Sequence, residues 1–243
     1  MPETFPAPAK SSDATEKIAR HYVSFAFYKI ENKFRRLEDA KRGAAIGQFQ
    51  ELLDAWSKKI QLHAYSTAGT RPDADFMLWK ISPDMSHFNS MAVEIRKSAI
   101  GSYLETPYSF LAMTRKSMYV DKHRHPGQEG TRLQIEPTES KYIFVYPFTK
   151  THGWYQLPME ERQKMMTEHI EAGHKFPTVK LNTTYSYGLD DQEFVVAFES
   201  DHPDDFLDLV MALRTGQSRP YTERDTPIFT CIKKSFKDLC GEF

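Results

Sequence analysis

The sequence has little cysteine: only Cys231 and Cys240 occur in 243 residues, both near the C-terminal end. No CxxC pair is present, which excludes zinc-ribbon and thioredoxin-like motifs. We predict a cytoplasmic protein, in which a structural disulfide is not expected. The two cysteines are therefore predicted to be buried or incidental thiols.

Long apolar runs and an excess of one charge are also missing. No stretch approaches the roughly 20 apolar residues that cross a bilayer, so no membrane span is expected. The net charge of −1 provides no basic surface of the kind that binds nucleic acid. Residues 1–17 are polar and proline-rich and lack the apolar core of a secretory signal, so a disordered tail is predicted there.

The sequence does contain one order of predicted elements twice. Alternating and helical hydrophobic patterns predict β-α-β-β-α-β between residues 22 and 114 and again between residues 141 and 232. This order predicts an α+β fold of two split β-α-β units, whose antiparallel sheets can close a barrel. The predicted organisation is an N-terminal repeat at 18–115, a linker or lid loop at 116–140 and a C-terminal repeat at 141–243.

The loop between the repeats contains the segment DKHRHPGQEG, in which Pro126, Gly127 and Gly130 break regular structure. A loop of this length in a compact chain is often functional. The sequence leaves open whether it is a solvated linker or a lid over a site.

One predicted strand, at residues 142–150, carries two residues that could bind a ligand. Strand alternation places Tyr146 and Lys150 on one face, on the order of 13 Å apart at about 3.3 Å per residue. A large anionic ligand could contact both. The alternative is an aromatic core strand that ends in a solvated lysine.

A predicted helix at residues 158–172 carries a candidate metal ligand. Arg162, Met165, Met166 and His169 share one face of this helix. Imidazole beside methionines can ligate a metal in an apolar pocket, whereas a histidine in a last helical turn more commonly complements the helix dipole. Periodicity alone does not make His169 a ligand.

Several blocks in the same order along the chain resemble the chlorite dismutase-like superfamily of haem proteins, specifically its coproheme decarboxylase branch. The resemblance implies two fused ferredoxin-like repeats that form a dimeric α+β barrel, with the haem site in the C-terminal repeat and assembly as a homopentamer. The blocks are YVSFAFYKI, YSTAGTRPDADFMLWKISP, YLETPYSFLAMTRKSMYV, KYIFVYPFTKTHGWYQLP, EERQKMMTEHI, YSYGLDDQEFVVAFE and RDTPIF.

The resemblance also implies roles for single residues. His169 matches the proximal iron ligand, with His174 as a weaker alternative. Tyr146 matches the tyrosine that forms a radical beside a substrate propionate, and Lys150 the lysine that assists there. Arg132 matches a propionate-binding arginine.

Two further positions are implied to bind propionate, and one position departs from the family pattern. Arg219 and Thr226 match a propionate site. Chlorite dismutases carry an arginine above the open face of the iron, but residues 179–187 contain none. The corresponding residue is Asn182 by spacing from His169, or Leu181 by counting back from Gly188, so we expect Asn182 beside the porphyrin.

The reaction implied is oxidative decarboxylation of iron coproporphyrin III (coproheme) to haem b, with hydrogen peroxide as oxidant and the substrate as its own redox centre. His123 or His125 could serve as the distal base. Transient contact with ferrochelatase is a further implication. The alternatives are a haem b peroxidase or chlorite-degrading enzyme, and a non-catalytic haem-binding protein.

Overall fold

The computed structural model describes residues 20–119 and 133–243. The predicted tail and most of the predicted lid loop therefore lie outside the described residues. In the first half the elements are β1 (Tyr22–Ile30), α1 (Asn32–Arg35), α2 (Asp39–Ser57), β2 (Gln61–Ser66), β3 (Phe76–Ser82), α3 (Ser86–Lys97) and β4 (Leu104–Met113).

The second half repeats this order and adds three short elements that the hydrophobic pattern did not predict, namely α4, β8 and α7. Its elements are β5 (Tyr142–Lys150), α4 (His152–Gln156), α5 (Met159–His174), β6 (Lys180–Tyr185), β7 (Phe194–Ser200), α6 (Pro203–Arg214), β8 (Thr222–Arg224), β9 (Phe229–Lys234) and α7 (Phe236–Cys240). Each addition has at most five residues, too few to show a period.

One element of the first half differs from its prediction. The helical pattern at residues 33–59 predicts one helix, but the structure has α1 and α2 separated by a turn. Glu38 has an extended backbone (φ −52°, ψ 136°), so the helix restarts at Asp39. The buried Phe34 of α1 and the partly buried Leu37 within this turn both pack against the core.

The strands form one large antiparallel sheet, which confirms the predicted α+β class. Strand β7 pairs with β6 on one side and with β5 on the other. The pairings therefore run in a closed circuit of eight strands, β5-β7-β6-β4-β1-β3-β2-β9 and back to β5, which we call the strand ring. The shortest strand pairing in the strand ring is between β4 and β6, where Met113 pairs with Tyr185.

The inside of the strand ring is a core that both halves build. Phe27 of the first half stacks on Phe229 of the second, with ring centroids 3.9 Å apart. Trp79, Val145 and Ala197 are buried in the same cluster. Because both halves supply its residues, the two repeats share one interior.

The outer faces of the two halves differ in how fully helices cover them. Helices α2 and α3 contribute to a cluster of eighteen buried residues on the first half. The cluster on the second half has four buried residues, Phe144, Phe198, Phe206 and Leu209. Helix α5 buries none of its own residues fully. Side chains therefore fill the space between the helices and the sheet less completely in the second half than in the first.

No helix within the described parts of the chain has the length and apolar character needed to cross a membrane.

Candidate functional site

The sheet register fixes which residues face α5 and α6. Directly paired residues of antiparallel strands lie on the same face of a sheet. Tyr146 pairs with Val196, which pairs with Thr183, and this row lies on the outer face. The neighbouring row, Val145 and Ala197, points into the strand ring. Tyr146 therefore faces the less filled space of the second half.

Tyr146 has an apolar wall on one side and charges nearby. Its ring stacks on Phe198, with centroids 5.9 Å apart and planes 18° apart. Burial raises the pKa of the Tyr146 phenol, and the carboxylate of Asp225 raises it further. The phenol therefore keeps its proton at neutral pH.

Lys150 is buried where β5 ends, with 9% of its surface exposed. Its Nζ donates to the carbonyl oxygen of Ser218 at 3.3 Å and lies 4.3 Å from the ring centroid of Trp154. Burial lowers the pKa of Lys150 to about 8, against the carboxylate of Glu193, which raises it. At neutral pH this ammonium is mostly charged, and it faces a carbonyl oxygen and a ring rather than a carboxylate.

His169 lies on α5, one turn and a half before the helix ends at His174. Burial lowers the pKa of His169 to about 4, and the positive charge of Lys150 lowers it further. The imidazole is therefore neutral at neutral pH, which is the form in which histidine binds metals.

Arg219 belongs to a charged group beside Tyr146. The Nη1 atoms of Arg219 and Arg214 each lie 2.6 Å from Oδ2 of Asp225. Although burial opposes it, hydrogen bonds from both guanidinium groups lower the pKa of Asp225. Thr226 follows Asp225 in the chain and is exposed. The structure thus brings Tyr146, Lys150 and Arg219 into one neighbourhood.

Two buried polar atoms of α5 have no hydrogen-bond partner within the described residues. They are Nε of Arg162 and Oε2 of Glu168. Both residues lie on the same helix as His169. Because buried polar groups in folded proteins are normally paired, these atoms indicate a place for a polar ligand.

Asn182 and Leu181, between which the sequence left the choice open, lie on opposite faces of the sheet. Asn182 pairs with Ala197, so it points into the strand ring, on the side of the sheet opposite to Tyr146. It is 9% exposed, and its Nδ2 donates to Oε1 of Glu199 at 2.8 Å. Leu181 pairs with Phe198, lies on the Tyr146 face and is 47% exposed. A shift of one position along a strand moves a side chain to the other face.

Several sequence predictions lie outside the described residues: Arg132, His123 and His125. Two groups in the site carried no sequence signal. Ser218 accepts from Lys150 across 68 positions of the chain, a contact that spacing along the chain does not show. Asp225 accepts from Arg219, six residues before it, where no repeating pattern marks the pair.

Comparison with known proteins gives the following matches. Residues 42–234 match the family described as chlorite dismutase. The chain is 34% identical over 179 residues to a coproheme decarboxylase of Mycolicibacterium smegmatis, covering 73% of this chain and 75% of that protein. It is 31% identical over 224 residues to a coproheme decarboxylase of Staphylococcus carnosus, covering 85% and 89%.

Solved structures show the same fold. Chlorite dismutase from Candidatus Nitrospira defluvii in complex with imidazole superposes with a TM-score of 0.82 at 25% identity, covering 91% of this chain and 94% of that one. A haem-binding protein from Thermus thermophilus also superposes with a TM-score of 0.82, at 22% identity and the same coverage.

Proposed function

The chain belongs to the chlorite dismutase family, and on that premise we propose that it is a coproheme decarboxylase, an oxidoreductase of haem biosynthesis. The observation that carries the proposal is the position of Tyr146 and Lys150. An oxidisable phenol and a buried ammonium lie on one strand, both near Arg219, whose charge acts on the pKa of each. The names of the two curated relatives support the same conclusion.

The residues present fit an iron porphyrin with propionate arms. The neutral imidazole of His169 would hold the iron. Carboxylates taken out of water need charged partners, and Lys150, Arg162 and Arg219 would supply them. The unpaired buried Nε of Arg162 is on the same face of α5 as His169 and suits a carboxylate oxygen.

The reaction balances with one hydrogen peroxide for each propionate. The side chain loses carbon dioxide and one hydrogen and becomes a vinyl group, which releases two electrons and a proton. Peroxide accepts the two electrons and, with two protons, gives two waters. When bound, the substrate's iron supplies the site at which peroxide is reduced, so the protein contributes orientation and electrostatics.

The chain's own residues divide the remaining work. Tyr146 would lose its phenolic hydrogen, and the resulting phenoxyl oxygen would abstract a hydrogen atom from the propionate carbon chain. Phe198 holds the ring of Tyr146 by stacking against it. The ammonium of Lys150 would hold the carboxylate by a charge-assisted hydrogen bond until carbon dioxide leaves. Arg219, fixed by Asp225, would hold a second carboxylate.

Leu181, which lies on the Tyr146 face of the sheet, would be on the open side of the iron in place of Asn182. An aliphatic side chain donates no hydrogen bond, so it cannot do what an arginine does there. This residue disfavours chlorite decomposition as the main activity. It also makes the two neighbouring positions suitable for a direct test.

Substituting Asn182 should lower stability and leave coproheme binding unchanged, whereas substituting Leu181 should weaken coproheme binding and leave stability nearly unchanged. Asn182→Ala leaves Glu199 with one donor fewer, so we expect a free energy of unfolding lower by about 1–3 kcal/mol and unchanged coproheme affinity. Leu181→Glu places a carboxylate on the porphyrin face, so we expect weaker coproheme binding and a stability change within about 0.5 kcal/mol. Denaturant unfolding and absorbance titration measure the two quantities. The reverse pattern would mean that the register is wrong.

The direct test of the function is to mix the purified protein with coproheme and hydrogen peroxide and to follow products by mass spectrometry. We expect a product that lacks the elements of carbon dioxide and two hydrogens for each of two propionates, compared as free acids. Turnover of chlorite with bound haem b would instead favour the chlorite-degrading alternative. Stable haem binding without conversion of coproheme would favour a non-catalytic binding protein.

We also propose a homopentamer in the cytoplasm that meets ferrochelatase transiently, because iron must be inserted before this reaction. Exposed Leu207 and Met211, one turn apart on α6, support self-association. Light scattering of the purified protein should give about five times the 28.2 kDa mass of the chain. A monomer at micromolar concentration would contradict the assembly.

A further inference from the structure

We infer that Glu193 is a positioning residue that fixes the end of β5 and thereby aims Lys150; the inference rests on the role proposed for that lysine. Glu193 directly precedes β7 and carries a carboxylate next to the residue where β5 ends. Its contacts, described next, join three separate segments of the second half.

One oxygen atom of Glu193 makes two of these contacts. Oε2 accepts the backbone N–H of Lys150 at 2.8 Å and the hydroxyl of Tyr155 at 2.6 Å. The hydroxyls of Tyr155 and Tyr187 are 2.6 Å apart. Because Tyr155 gives its only hydroxyl hydrogen to Glu193, Tyr187 must donate to Tyr155. Bonds arranged in such a chain strengthen one another.

The carboxylate replaces strand pairing where that pairing stops. The ladder between β5 and β7 ends at Phe148 and Phe194. On the other edge, pairing with β8 shifts register between Thr149 and Lys150. Such an irregularity redirects the side chain that follows it. The N–H of Lys150 therefore has no β7 backbone partner in the ladder, and the Glu193 side chain takes that place.

Tyr155 links the same oxygen to the ring that Lys150 contacts. Tyr155 follows Trp154 in α4, and the Trp154 ring lies 4.3 Å from Nζ of Lys150. Glu193 thus holds both the backbone from which the lysine projects and the short helix against which its ammonium rests. A misplacement of about 1 Å in a catalytic group can lower a rate about 10²-fold.

Substitutions can separate the geometry from the charge. Since one oxygen accepts both donors, the amide oxygen of Glu193→Gln can accept both, so this variant keeps the contacts and loses the charge. Glu193→Ala loses both. Asp190→Ala is a matched control, because Asp190 lies in the same β6–β7 connection and its Oδ2 accepts a strand N–H, that of Leu111, at 2.7 Å.

The experiment is a double-mutant cycle between Glu193→Ala and Lys150→Met, with decarboxylation rate and KM measured for each variant. We expect each single variant to lower kcat about 10-fold to 100-fold with KM changed less than about threefold. The double variant should be no slower than Lys150→Met, because Glu193 acts through Lys150. Glu193→Gln should keep most of the activity, and Asp190→Ala should leave kcat unchanged.

A second readout needs no substrate. In the protein without coproheme, hydrogen exchange at the Lys150 amide should be at least about fivefold faster in Glu193→Ala than in wild type, and unchanged in Asp190→Ala. Additive rate losses in the cycle, or unchanged exchange, would overturn the inference alone. If the wild type does not convert coproheme, or if Lys150→Met is fully active, the proposed function or the role of the lysine fails first.

Discussion

Replacing Tyr146 with Phe is expected to slow decarboxylation of coproheme at least about 10³-fold, equivalent to roughly 4 kcal/mol of activation free energy. The substitution keeps the ring that stacks on Phe198 and removes only the hydroxyl. Without the O–H bond there is no hydrogen atom to lose and no oxygen radical to take one from the propionate. Rapid-mixing kinetics with product analysis measures the rate, and absorbance titration should give a coproheme affinity within about threefold of wild type.

Tyr142 offers a matched control for this variant. It lies on the same face of the same strand, four residues before Tyr146, and the proposed mechanism gives it no role. Tyr142→Phe should therefore keep the wild-type rate. A Tyr146→Phe variant with full activity would exclude the radical role, and a variant that no longer binds coproheme would indicate a binding role instead.

Replacing His169 with Ala is expected to remove the protein ligand to iron. Loss even of a group that only supports a metal ligand lowers metal affinity about 10-fold to 100-fold, so loss of the ligand itself should cost at least as much in coproheme affinity. We also expect the absorption bands of bound coproheme to shift and decarboxylation to fall below detection. Added imidazole should restore part of the spectrum, because it replaces the missing side chain.

His174→Ala is the control for the ligand, since this histidine ends the same helix. It should leave the spectrum of bound coproheme unchanged. An unchanged spectrum in His169→Ala together with an altered one in His174→Ala would mean that the iron is held at the end of α5.

The sequence predicts most clearly those features that depend on local pattern. Strands β1 and β5 span Tyr22–Ile30 and Tyr142–Lys150, as their alternation predicts. The choice between Asn182 and Leu181 could not be made this way. It depends on how β6 aligns with β7, and a shift of one position reverses the answer.

Contacts between residues far apart in the chain could not be predicted either, because they too depend on how the segments pack. Glu193 meets Lys150 across 43 positions, and Asp225 comes near Tyr146 only once the chain after α6 has folded back. Neither acid stands in a repeating pattern or a recognisable spacing with its partner. Burial, which lowers the pKa of His169 and Lys150, likewise arises from packing that a single strand or helix does not reveal.

The helices cover the outer face of the sheet more fully in the first half than in the second, so the first half can serve stability while the second binds a ligand. In the first half, the helices cover the sheet with a large apolar cluster, so substitutions there should mainly lower the melting temperature. In the second copy the thinner layer leaves room for a guest molecule, so changes there are free to alter chemistry. Because both halves supply residues to the core inside the strand ring, the closely packed first half should also stabilise the second half.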